Sequence, residues 1–117
     1  MKLSYDKQTD VAYIHLKQIP IWKSFGIVKE SKPYDNIIID YLAKSEVFGV
    51  EIMDATYVLS KTLLIPFNKF SLLGFRIKKV DKLFKKQLIS AFNEYQKRNK
   101  ADQEAVNIVI DVLESHS

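Results

Sequence analysis

The chain contains no cysteine. Disulfides, thiolate metal sites and cysteine nucleophiles are thereby excluded. Histidine occurs twice, at His15 and His116, with no spacing that supports a zinc site. Glycine is scarce too. Gly26, Gly49 and Gly74 stand isolated, so no glycine-rich loop is available to cradle a phosphate. With only three prolines besides, the chain has little composition for long disordered stretches. No apolar run approaches the ~18 residues that a membrane helix needs. The opening residues lack the basic, apolar, small-residue order of a secretory leader. The expectation is a cytoplasmic protein without membrane contact. Arginine is the last scarcity. Of eighteen basic residues only Arg76 and Arg98 are arginine. That weakens a base-reading contact with DNA, for which the bidentate guanidinium is preferred.

What is present describes an ordinary folded chain. Its 117 residues fit one compact domain, or a small domain with an appendage, and 47% apolar with 27% charged residues is usual for such a protein. The net charge of +4 is unevenly spread: residues 1–60 sum to −1 and residues 61–117 to +5. The densest stretch, 76–100, holds nine Lys or Arg against Asp81 and Glu94.

Residues 1–52 alternate as strands do. Met1, Leu3 and Tyr5 share one side, and Lys2 and Ser4 the other. The turn Asp6–Asp10 is built from side chains that bond their own backbone. Val11–Lys17 follows, with Ala12, Ile14 and Leu16 on one side and Tyr13, His15 and Lys17 on the other. Pro20 breaks the run, and Ile21–Glu30 reads as an irregular third strand with Gly26 at a bulge. Ser31-Lys32-Pro33 reads as a break. Asn36–Tyr41 is a central strand by its β-branched run. Val47–Ile52 is the last, with Phe48, Val50 and Ile52 on one face and Gly49 and Glu51 on the other. Asp54 is placed to cap a short helix over 55–59. Phe70–Ile77 is apolar around Gly74 and is assigned to helix. Lys78–Asn99 carries Val80, Leu83, Phe84, Gln87, Leu88, Ala91, Phe92 and Tyr95 at three-and-four spacing, one stripe of an amphipathic helix of about six turns. Asp102 is placed to cap a final helix with Ala105, Val106, Val109, Val112 and Leu113 inward. The run 106–110 also fits a strand.

Two blocks of this sequence resemble a known family. One is Ser4-Tyr5-Asp6-Lys7-Gln8-Thr9-Asp10-Val11-Ala12-Tyr13-Ile14-His15-Leu16. The other is Ile39-Asp40-Tyr41, then Val47-Phe48-Gly49-Val50-Glu51-Ile52-Met53-Asp54-Ala55. In order and spacing they are similar to a family of small prokaryotic proteins known as a domain of unknown function, catalogued with the number 2283. The resemblance covers roughly residues 1–58. It departs from the family at Ile19–Lys32, which lacks the usual acidic, Gly-containing turn, and in the long helical second half. It implies a fold with Tyr5, Asp6, Asp10, Gly49, Glu51 and Asp54 as markers, and no established activity. Because some members resemble partners encoded beside small toxin-like proteins, it also implies an antitoxin-like or inhibitor-like role.

The candidate chemistry is thin. Asp6 and Asp10 flank one turn and have the residue type for acid–base work or a divalent cation. The plainer assignment is a hairpin held by its own side-chain bonds. Tyr13, His15, Asp40 and Glu51 share the mixed sheet face, where a His–carboxylate pair has general-base chemistry. A cross-strand polar network explains them as well, with Lys17 or Tyr13 as the partner that Glu51 requires. Lys78, Lys79, Lys82, Lys85 and Lys86 offer contact to nucleic-acid phosphate or an acidic partner, against the alternative of a solvated face. Phe84, Phe92 and Tyr95 fall on the inward stripe and suit a core better than a base-stacking platform. Trp22 and Phe25 suit either a docking surface or packing against the tail.

The expectation is therefore an α+β protein: an antiparallel β-meander over 1–60 whose apolar face is covered by basic helices from 61–117, in cis or across a homodimer. No cofactor or metal is called for. The leading functional expectation is a non-catalytic interaction or regulatory module. A nucleic-acid accessory protein comes second. A hydrolase built on Asp6, Asp10, His15 and Glu51 comes last.

Overall fold

A computed structural model describes residues 1–16, 28, 30–42, 46–65 and 75–116. β1 (Lys2–Asp6) and β2 (Val11–His15) form the hairpin that the alternation predicts, with Leu3 opposite Ile14 and Tyr5 opposite Ala12. Those four side chains are buried on one face, together with Ile37 and Ile39 of β4 (Ile37–Tyr41) and Val50 and Ile52 of β5 (Val47–Ile52). Period two thus sorts the residues into a buried set and a half-exposed set.

Two segments differ from their expected state. Ser31-Lys32-Pro33 is not a break but most of β3 (Glu30–Pro33), paired antiparallel with β4. Pro33 is tolerated because β3 is an edge strand, where a missing N–H costs no ladder bond. The expected strand before it falls mainly outside the described residues. The apolar stretch assigned to helix also changes: residues 70–74 lie outside the described residues, and Phe75–Lys79 is a strand, β6, paired with β1. Phe-Arg-Ile-Lys alternates at period two, and β6 covers an edge of β1 that would otherwise be open.

Among the described residues the sheet has six strands in the order β3-β4-β5-β2-β1-β6, antiparallel throughout. The chain leaves β2, enters the sheet again at the far edge as β3, and winds back so that β5 lies beside β2. Its sixth strand comes from the basic second half.

Helices cover the buried face. They are α1 (Ala55–Leu59), α2 (Lys61–Leu64), α3 (Lys82–Arg98) and α4 (Gln103–Ser115), with a 3-10 turn at Lys100–Asp102. α3 starts at Lys82 rather than Lys78, because Lys78 and Lys79 belong to β6 and Asp81 Oδ1 accepts the Phe84 N–H at 2.8 Å. Its buried stripe is Phe84, Leu88, Phe92 and Tyr95. Leu83 is 67% exposed and Gln87 is exposed, so the inward face is narrower than the full apolar periodicity. α4 buries Ala105, Val106, Val109 and Leu113, and 106–110 is helical. Each large apolar side chain fully buried in such a core contributes ~1.5–3 kcal/mol relative to exposure. Among the described residues no helix is long and apolar enough to cross a membrane.

A buried carboxylate ties this helical layer to the sheet. Asp102 does not cap α4 with its side chain, although it stands at the N-cap position. Instead Oδ1 accepts the Asp35 N–H at 2.7 Å, and Oδ2 accepts the Asn36 N–H at 2.9 Å and the Tyr95 hydroxyl. The Tyr95 oxygen in turn accepts from the side-chain amides of Asn36 and Asn99, at 3.1 and 2.9 Å. Burial and the bond to Asp102 hold the Tyr95 phenol above its ordinary range. The α3–α4 corner is thus fastened to the turn between β3 and β4.

Candidate functional site

The first sequence block is explained by Asp10. The Tyr5 side chain points into the core, and its hydroxyl donates to Asp10 Oδ1 at 2.7 Å. The same oxygen accepts the Thr56 N–H at 3.1 Å, and Oδ2 accepts the Thr56 hydroxyl at 2.7 Å. The Asp10 carbonyl takes the Ala55 N–H at 2.9 Å. Asp10 therefore caps α1 from 46 residues before Thr56 in the chain. Asp54, expected to do so, holds the N-cap position in the left-handed region (φ 52) with no side-chain cap bond. Asp6 accepts the Gln8 N–H at 3.0 Å, the local turn bond its position suggests. The two turn carboxylates thus serve different bonds and do not form a paired acid–base site.

The outward face of the sheet brings together what alternation placed there. The Tyr13 hydroxyl donates to Asp40 Oδ2 at 2.7 Å across β2, β5 and β4, and the Ser31 hydroxyl donates to Asp40 Oδ1 at 2.6 Å. The Tyr13 ring lies over Gly49, where an added Cβ would sit 2.3 Å from the phenol oxygen. That close approach is what requires glycine in the Gly-Val-Glu-Ile strand. Glu51 stands opposite Tyr13 on β5. Burial, then the Asp40 hydrogen bond and charge, then Glu51, keep the phenol protonated well above its usual range. Beside it, the His15 ring centroid is 4.7 Å from that of Tyr13, and His15 Nε2 is 3.0 Å from Ser4 Oγ. Burial first, and the nearby Lys2 second, lower the His15 pKa, so the imidazole favours its neutral form.

Ser4 and Ser31 are the members that the sequence reading left out. Alternation already puts Ser4 on the face of Tyr13 and His15. Ser31 reads from the sequence as part of a break, which gives it no face. The Ser4–His15 pair has the reach of a nucleophile and base. Among the described residues, however, the backbone N–H groups of β1 and β2 are engaged in the strand ladders and do not converge as oxyanion donors. The four residues of the expected hydrolase set are not all brought together: Asp6 and Glu51 line one depression with Tyr13, apart from the other two. His15 pairs with Lys2 at one end of the hairpin and Val11 with Asp6 at the other, while Asp10 is taken up by Tyr5 and Thr56. Among the described residues no cluster of His, Asp and Glu could hold a metal ion.

The lysines divide. Lys79, Lys82 and Lys85 border a depression of about 320 Å3 with Met1, Asp81 and His116, and Lys85 Nζ donates to the His116 carbonyl. Lys78 turns the other way, with Nζ 4.5 Å from the centroid of Phe84. Lys86 is exposed on α3. A single stripe of five on one helix is not formed, because two of the five belong to β6. Trp22, Phe25 and Lys17 lie outside the described residues.

The family described as a protein of unknown function (DUF2283) matches residues 2–55, from the start of β1 to the first residue of α1. The resemblance carried by the two sequence blocks is thereby shown for that segment; residues 56–117 lie beyond the match. No curated protein and no solved structure matches the chain.

Proposed function

We propose that this chain is a non-catalytic binding module that docks another protein on the outward face of its sheet, in the manner of a regulator or an inhibitor-like partner. The observation that carries this reading is the closed network Ser31–Asp40–Tyr13, set over Gly49 beside the Ser4–His15 pair. Its polar groups satisfy one another rather than converging on a point where a substrate would react. A tyrosine fixed in this way offers apolar area and a polar rim with little entropy left to lose on binding. Tyrosine is also among the residues that dominate interface energetics. Among the described residues, Asp6, Asp40 and Glu51 outweigh Lys2 and its cross-strand neighbour Lys79 on this face, which favours a partner with a basic contact surface.

A second reading is contact with nucleic acid through the gathered Lys79, Lys82 and Lys85. One experiment separates the two. The wild-type chain, Glu51→Lys and the pair Lys82→Glu with Lys85→Glu are immobilised and exposed to native lysate with and without nuclease treatment. The docking reading expects protein retained by wild type and by the lysine variant, with at least tenfold less on Glu51→Lys. Retention that survives Glu51→Lys, or that vanishes with nuclease, contradicts it. The latter outcome favours the nucleic-acid reading.

A further inference from the structure

The large apolar side chains that stand exposed among the described residues are Tyr57 at 43%, Ile65 at 58% and Leu83 at 67%. Of these, Leu83 lines a groove of about 750 Å3 bordered by α1, α2 and α3, whereas Tyr57 and Ile65 lie outside its lining. Val58, Leu63, Leu83 and Ala91 give it an apolar floor and wall, with Lys78 and Glu94 also lining it. An exposed leucine at the edge of such an apolar floor suits an interaction surface.

The groove is complementary to itself. Leu83, Gln87 and Ala91 recur at four-residue spacing along the same flank of α3. If two α3 helices cross antiparallel about Gln87, the large Leu83 of one copy meets the small Ala91 of the other, twice. Ser90 beside Ala91 keeps that approach close. The same operation carries Lys78, which lies against Phe84 near the start of α3, toward Glu94 of the second copy. Within its own chain Glu94 forms an exposed pair with Lys97 at 3.3 Å. Arg98 is engaged elsewhere, donating to the Tyr57 carbonyl at 2.8 Å. A two-fold axis thus matches large to small and positive to negative, as an isologous interface requires.

We propose that two copies of this chain associate through the α3 flank, with Leu83 of each seated in the groove of the other between α1, α2 and Ala91. The inference rests on the helical layer alone. The outward sheet face lies on the other side of the molecule, so a dimer formed this way leaves two such faces free.

Light scattering after size exclusion, over a wide range of concentration, tests it on the full chain. The expected mass is about 27 kDa, twice the 13.6 kDa of one chain. Leu83→Asp should weaken the dimer roughly tenfold or more, the effect of losing a central contact. Gln87→Glu, at the axis, should weaken it by setting two carboxylates together; both positions are exposed, so folding seen by circular dichroism should be unchanged. Lys78→Glu and Glu94→Lys should each weaken the dimer, and the two combined should restore it. A wild-type chain that stays at 13.6 kDa at every concentration overturns the proposal. So does a dimer that withstands both Leu83→Asp and Gln87→Glu.

Discussion

The ring of Tyr13 rests on Gly49 so closely that a Cβ at position 49 would lie 2.3 Å from the phenol oxygen and 2.6 Å from the carbon that bears it. The ring cannot swing aside without giving up the 2.7 Å bond to Asp40. Gly49→Ala should therefore cost ~1–3 kcal/mol, the usual price of overpacking. Tyr13→Phe, which removes only the hydroxyl, should cost ~0.5–1.5 kcal/mol. Urea unfolding of Gly49→Ala, Tyr13→Ala and the double variant should show a double cost below the sum, since the two changes act on one contact.

The carboxylate that caps α1 is Asp10, not Asp54. Asp10→Ala removes the acceptor for Tyr5 and for both Thr56 donors, and a loss of ~2–4 kcal/mol is expected for a cap and a part-buried network together. Asp54→Gly should be neutral or stabilising by up to ~1 kcal/mol, because Asp54 has φ 52 and no cap bond. Asp10 also has a positive φ, of 55, yet Asp10→Gly should destabilise, because its side-chain bonds outweigh the relief of strain. Thermal denaturation of the three variants distinguishes these outcomes.

Asp102 joins the chain's two halves. Asp102→Ala leaves the Asp35 and Asn36 N–H groups and the Tyr95 hydroxyl without their acceptor in a fully buried site, and should cost ~3–5 kcal/mol. Hydrogen exchange at Asp35 and Asn36 should accelerate in that variant well beyond the change at β1 and β2. Equal acceleration everywhere would mean that the fastening is not local.

Stability should fall on acidification through His15. Its folded pKa is lowered by burial and by Lys2 relative to the ordinary 6.5. Below that value the unfolded chain binds a proton that the folded chain resists, so stability rises with pH through the window beneath 6.5 and is lost as pH falls. His15→Asn, which does not titrate there, should show a flatter dependence of urea midpoint on pH between 7 and the acid side of that window. An unchanged slope would remove His15 from the account.

Local periodicity made much of this fold legible. Leu3, Tyr5, Ala12, Ile14, Val50 and Ile52 face the core because alternate residues share a side, and Phe84, Leu88, Phe92 and Tyr95 because they recur at helical spacing. What was not legible depends on partners far along the chain. Phe75–Lys79 became a strand because β1 offered it an edge, and Ser31–Pro33 because β4 did. Asp10 reaches Thr56 and Asp102 reaches Asn36, separations at which turn and cap rules give no signal. The candidate site was half visible. Tyr13, His15, Asp40 and Glu51 share a face by alternation alone, whereas the bonds that make Asp40 the acceptor of Tyr13 and Ser31 depend on the strand order.

The most direct test of the central claim is photo-cross-linking from defined positions of the full chain. A benzophenone side chain is placed at position 11 or 38 on the outward sheet face, or at position 86 or 93 on the exposed side of α3, and irradiated in nuclease-treated native lysate. Docking on the sheet predicts an adduct with another protein from 11 and 38, and none of the same mass from 86 and 93. Adducts from 86 and 93 with nothing from 11 and 38 would contradict it.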